Sequence, residues 1–132
     1  MTYVLTGLVA LVMLAGGAGH LTAPDGFRTL VPPFLPAGAV IAATGVLQVA
    51  IGLAVLWPRA RGLAALAFAA LCLGYLPIHL WDYFRPDPMF APPVAATVRV
   101  VVQLLFIWAG VALWRRSGRT TPLGGRGHDR EG

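Results

Sequence analysis

Long stretches without a charged residue constrain this chain more than any other feature. No Asp, Glu, Lys or Arg occurs in residues 1–24, 29–58 or 62–81. A helix needs about 20 apolar residues, at about 1.5 Å each, to cross the hydrocarbon core of a bilayer. Each stretch is long enough for one such helix, and we place these spans at about residues 3–20, 38–57 and 62–81.

The fourth apolar stretch is shorter and needs a charged residue to reach the same length. Residues 100–114 carry no charge, but as a helix they extend only about 22 Å, less than a hydrocarbon core of about 30 Å. A full-length span results if the helix begins near Val94 and includes Arg99. We therefore place the fourth span at about residues 94–114.

The composition excludes a soluble domain. Hydrophobic residues make up 58% of the chain and charged residues 11%, whereas a soluble domain carries about 25% charged residues. A soluble fold of 132 residues could not bury so much apolar surface, and the single cysteine excludes a disulfide scaffold. Because the links between spans are short, neighbouring helices should run antiparallel. We predict an all-α integral membrane protein, with a compact antiparallel four-helix transmembrane bundle in residues 1–116.

Arginine residues predict the orientation of these spans. Arg59 and Arg61 lie between the second and third spans. Arg115 and Arg116 follow the fourth. With four spans these positions share one side of the membrane, and the positive-inside rule makes that side the cytoplasm. Both termini are then cytoplasmic, and residues 117–132 are predicted to be a disordered basic tail. Arginines that flank a membrane favour the lipid bilayer as the partner and not a nucleic acid.

Residues 1–23 have an alternative interpretation as a signal peptide that is cleaved near Ala23. The segment lacks the basic start that signal peptides carry. Cleavage would leave three spans with the same loop charges. We therefore favour a retained first helix.

Small residues predict which helix faces approach each other closely, because they let transmembrane backbones come together. Those that share one face of the second span are Gly38, Ala42, Gly45 and Gly52. Those at multiples of four residues in the first span are Gly7, Ala15 and Gly19. We expect these faces to lie in helix contacts.

Arg99 is the most costly residue of the four spans, since a central arginine costs about 2.5–3.5 kcal/mol on insertion scales. It lies about 8 Å below the outer edge if the helix begins at Val94. Two interpretations stay open. The side chain extends to the outer headgroups, or it points into the bundle and pairs with Asp82 or with an anionic ligand.

Two glutamines lie near the predicted midplane of the membrane. Gln103 is one turn below Arg99, and Gln48 has a similar depth in the second span. An amide in hydrocarbon needs hydrogen-bond partners. We expect a helix-to-helix hydrogen bond, worth about 0.6–2 kcal/mol, ahead of ligand binding.

Two histidines lie near the outer ends of the first and third spans. A pair at one depth could bind haem or a metal ion, but no third or fourth ligand has a suitable spacing. We expect hydrogen bonds to nearby carbonyls, and neither metal nor haem. With the residues above, the histidines make a candidate polar site that opens to the outer face. Its members are His20, Gln48, His79, Asp82, Arg99 and Gln103.

Short segments across nearly the whole chain resemble the motifs of the DoxX-like membrane proteins. These segments are residues 15–21, 30–36, 44–53, 75–79, 99–103 and 108–109. The resemblance implies a four-helix protein of the bacterial inner membrane. Some of these relatives are small membrane subunits of thiosulfate:quinone oxidoreductase. The chain departs from the family at Gln48, where relatives often have Glu, and at His79, where they often have Asn. The missing carboxylate removes any proton-linked role for position 48.

We therefore expect an accessory or anchor subunit of a membrane redox system, with quinone as the cofactor beside Arg99, Gln103 or His79. Its expected partners are a membrane or peripheral oxidoreductase subunit and further copies of the chain. The alternative is a small transporter or lipophile-binding protein, although proton-coupled export needs an intramembrane carboxylate and Asp82 lies only at the edge. A self-contained enzyme has least support, and we assign no catalytic residue, because no nucleophile–base set, metal motif or carboxylate pair is present.

Overall fold

The computed structural model describes residues 1–91 and 93–118, and all regular structure in these residues is helical. The long helices are α1 (Thr2–Thr22), α2 (Ala37–Ala54), α3 (Arg61–Trp81) and α4 (Val94–Ser117). A 3₁₀ helix, Pro24–Leu30, links α1 to α2. Each of these α-helices is long and apolar enough to cross a membrane. The sequence predicted that the tail begins at Ser117, but this residue is the last of α4. Residues 119–132 of the predicted tail lie outside the described residues.

The helices form two extensive pairs, α1 with α2 and α3 with α4, and α1 also contacts α4. One apolar core joins the pairs. Val9, Val55, Phe68 and Leu113 have no exposed surface and belong to this core. They lie near the start of α1 and α3 and near the end of α2 and α4. The core therefore fills one half of the molecule and leaves the other half for the site described below.

Glycines allow α1 and α2 to pack closely, but only over part of the predicted face. A Cβ atom on Gly17 would lie 2.9 Å from the carbonyl oxygen of Gly45, and one on Gly45 would lie 2.9 Å from Cγ of Leu21. A Cβ atom on Gly52 would in turn lie 2.8 Å from Cγ of Leu14. Residues later in α1 thus lie against residues earlier in α2, so the two helices run antiparallel.

This register explains why Gly38 and Gly7 lie outside the contact. A Cβ atom on either glycine would meet nothing within 4 Å. Because Leu21 lies against Gly45, Gly38 extends past the end of α1. Because Leu14 lies against Gly52, Gly7 extends past the end of α2 at Ala54. The prediction was wrong at these two glycines because the repeat of small residues is longer than the helix overlap. It was also wrong at Ala15 and Ala42, which are exposed.

The link between α2 and α3 is longer than the sequence predicted, because α2 ends before residue 57, the predicted end of the second span. α2 ends at Ala54, and Pro58 disfavours a helical conformation at the residue before it. Arg61 Nε donates to the carbonyl oxygen of Val55 at 3.2 Å. This bond satisfies one of the carbonyls that a helix end leaves unpaired.

Candidate functional site

A cavity of about 540 Å³ occupies the half of the molecule that the apolar core leaves open. It lies where α1 and α3 end and where α2 and α4 begin. Most of its wall is apolar. The 3₁₀ helix and the loop after it contribute one part of the wall through Phe27, Leu30, Val31, Pro32 and Leu35.

All four long helices of the described chain contribute polar residues from the predicted site to this cavity. The predicted residues on its wall are His20, Gln48, His79, Arg99 and Gln103. They come from α1, α2, α3 and α4, with two from α4. The fold thus brings together side chains that are up to 83 positions apart in the sequence.

The sixth predicted residue, Asp82, lies behind Arg99 and not on the wall. It is 1% exposed. Arg99 Nη1 donates to its Oδ2 at 3.0 Å, and the backbone N–H of Met89 donates to its Oδ1 at 3.2 Å. Arg85 Nη1 lies 3.7 Å from the same Oδ1. A buried carboxylate needs such compensation by cations and hydrogen bonds. Of the two interpretations of Arg99, the structure adopts inward pairing with Asp82.

Two further contacts attach the α3–α4 loop to its surroundings. The guanidinium carbon of Arg99 lies 4.4 Å from the centre of the Phe90 ring, a cation–π arrangement. Arg85 Nη1 donates to the carbonyl oxygen of Thr29 at 3.3 Å. The second contact connects the loop to the 3₁₀ helix, which forms part of the cavity wall.

The two glutamines form the expected hydrogen bonds between helices. Gln103 Nε2 donates to the backbone carbonyl of Cys72 on α3. Gln48 Nε2 donates to the hydroxyl oxygen of Tyr75, also on α3, at 3.1 Å. Gln48 is 3% exposed and Gln103 is 5% exposed. Both amides therefore fasten a neighbouring helix to α3 while they line the cavity.

Two buried polar atoms on the wall have no partner. Among the described residues, the buried side-chain nitrogen and oxygen atoms without a hydrogen bond are Gln48 Oε1 and His79 Nδ1. An unsatisfied buried group costs about 1–3 kcal/mol. Since both side chains line the cavity, a molecule inside it could remove this cost.

The sequence predicted carbonyl hydrogen bonds for both histidines, and His20 makes one, whereas Nδ1 of His79 has no partner. His20 Nδ1 lies 2.8 Å from the carbonyl oxygen of Gly16. A carbonyl oxygen only accepts, so Nδ1 carries the proton and Nε2 of the neutral ring is an acceptor. The ring stacks on Phe27 with 3.9 Å between centroids. Within residues 1–91 and 93–118, no group of three or more His, Cys, Asp or Glu side chains is placed to hold a metal ion.

Sequence reasoning missed two polar residues of the wall, Tyr75 and Thr44. Tyr75 is one helical turn before His79, and Thr44 is one turn before Gln48. Residues four apart share a helix face. The spacing of each from a predicted site residue was therefore a signal that could have identified it.

The sequence model of one protein family matches residues 9–114, and that family is described as a domain of unknown function, DUF8561. The chain belongs to this family. The matched range contains every residue that lines the cavity and also Asp82, so the site lies wholly within the DUF8561 domain. No curated protein and no solved structure matches the chain.

Proposed function

We propose that this DUF8561 chain is a multi-pass protein of the bacterial inner membrane, of the DoxX-like type, whose cavity binds a lipophilic molecule with a polar head. We further propose that it serves a quinone-linked redox system as an accessory or anchor subunit. The proposal depends on one observation: the cavity described above has a largely apolar wall to which four helices contribute polar groups. Ligand pockets of about 300–1,000 Å³ have this character.

The exposed surface and the arginines support the membrane part of this proposal. Large apolar side chains such as Leu63, Leu105 and Trp108 are more than half exposed, which suits lipid and not water. Arg59 and Arg116 lie at the end of the molecule away from the cavity. The positive-inside rule then places that end in the cytoplasm and the cavity in the outer half of an antiparallel four-helix bundle.

The polar groups support a ligand of the quinone and hydroquinone class, which the DoxX-like resemblance also implies. An apolar tail would fit among the aliphatic residues, and the head would meet Gln48, His79 and Gln103. Proton-coupled export has no such support, because the buried carboxylate of Asp82 is already paired with Arg99.

The test is to fill the cavity and look for loss of the bound molecule. Thr44 lines the cavity, whereas Val46 on the same helix is 60% exposed. We expect Thr44→Phe to abolish co-purification of lipid-soluble molecules from native membranes, while Val46→Phe leaves it unchanged. Solvent extraction and absorption spectra would detect quinones. Equal amounts of the same molecule in all three proteins would contradict binding in this cavity.

A further inference from the structure

The two glutamines on the cavity wall are both held through their amide nitrogens. Gln103 Nε2 donates to the carbonyl oxygen of Cys72. Because a backbone carbonyl can only accept a hydrogen bond, this contact fixes which way the amide points. The oxygen of Gln103 is therefore the end of the amide that is available to a ligand, and it can only accept.

Gln48 on α2 also has an amide oxygen without a partner. Its nitrogen donates to Tyr75, and its Oε1 is buried without a partner. A Cβ atom on Gly16 would lie 2.6 Å from this oxygen. The oxygen therefore lies against α1 at position 16, where an alanine would clash with it.

His20 Nδ1 donates to the carbonyl oxygen of Gly16, so the neutral form of the ring would add a third acceptor at Nε2. Arg99 is a donor on the same wall, but its Nη1 is bound to Asp82 and its guanidinium lies against Phe90. Three helices thus present acceptors to the cavity. One nitrogen of Arg99, the strongest donor on the wall, is bound to Asp82, and the remaining polar groups, on Thr44, Tyr75 and His79, can donate as well as accept.

From this arrangement we propose that the cavity selects lipophilic molecules whose heads donate hydrogen bonds, such as phenols and hydroquinones, over heads that only accept them, such as quinones. A hydroxyl group placed at Gln48 and a second at Gln103 would satisfy both amide oxygens. A quinone carbonyl at either position would face another acceptor. This selectivity rests on the proposed binding of a lipophile in the same cavity, and it defines the chemistry of the head.

The experiment compares three probes with one decyl tail: a hydroquinone, its dimethyl ether and the corresponding benzoquinone. The full-length protein in lipid nanodiscs is titrated anaerobically, and binding to empty nanodiscs is subtracted. We expect the hydroquinone to bind at least about tenfold more tightly than the ether or the quinone, the effect of one additional satisfied buried acceptor.

Substitutions at the two glutamines test whether their amide oxygens cause this preference. We expect Gln103→Met and Gln48→Met each to reduce the preference for the hydroquinone over the ether, because each substitution removes one of the two amide oxygens. Leu104→Met, at a 51% exposed position on α4, should leave this preference unchanged. The comparison of probes on the unmodified protein remains decisive if a glutamine variant fails to fold.

The outcomes separate this inference from the proposed function. If none of the three probes binds, the proposed function fails. If all three bind equally, or the quinone binds most tightly, the preference for donors is wrong while lipophile binding stands. A preference for hydroquinone that survives both glutamine substitutions would also overturn the assignment to Gln48 and Gln103.

Discussion

At the scale of single residues, Asp82 determines where the charge of Arg99 lies. Its side chain is 1% exposed and that of Arg99 is 18% exposed. Removing one member of such a pair leaves an uncompensated buried charge, which costs about 3–5 kcal/mol. The carboxylate also receives the backbone N–H of Met89, so the same residue anchors the α3–α4 loop. The Asp82 carboxylate therefore both positions the Arg99 side chain and stabilises the α3–α4 loop.

We accordingly expect Arg99→Ala to lower the free energy of unfolding by about 3 kcal/mol, at the low end for a broken buried pair because Arg85 stays near Asp82. Asp82→Asn combined with Arg99→Met should recover most of the loss, since neither charge remains. Thermal unfolding in detergent micelles would measure both. Arg116→Ala, on an exposed side chain, is the control, and an equal loss from it would show that Arg99 is only a flanking residue.

At the scale of helices, close contact depends on glycines that face a backbone and not on glycines in general. A Cβ atom on Gly110 of α4 would lie 2.9 Å from the carbonyl oxygen of Ala65 and from Cβ of Ala69 on α3. A Cβ atom on Gly74 of α3 would meet nothing within 4 Å. The two glycines lie inside helices, so alanine improves helix propensity at both by about 0.5–1 kcal/mol.

The same substitution should therefore have opposite effects at the two positions. We expect Gly110→Ala to destabilise the protein by about 1–3 kcal/mol, because overpacking against a backbone atom forces the helices apart. Gly74→Ala should leave stability unchanged or raise it slightly. Unfolding midpoints in one detergent would compare them. Similar midpoints for the two variants would mean that α3 and α4 do not pack through Gly110.

At the scale of the whole molecule, hydropathy and helical periodicity predict the helices and much of the site. The uncharged stretches predict where helices lie, and depth along them predicts that Gln48 and Gln103 meet one cavity. Sequence could not supply the helix register, because small residues such as Gly7 recur beyond the overlap of α1 and α2. Nor could it supply the bond from Met89 to Asp82, which depends on the conformation of an irregular loop.

The proposed orientation in a bacterial inner membrane can be tested directly. Asp87 lies in the loop on the cavity side and Arg59 in the turn at the opposite end, and both are exposed. In a Cys72→Ala background, we expect a membrane-impermeant maleimide to label Asp87→Cys in cells with a permeable outer membrane, and Arg59→Cys only after the inner membrane is opened. The Cys72→Ala substitution should preserve the site, because Cys72 accepts the hydrogen bond from Gln103 through its backbone carbonyl and its small side chain is buried. The reverse pattern would place the cavity in the cytoplasmic half. Labelling at both positions in intact cells would show that the chain between residues 59 and 87 does not cross the membrane.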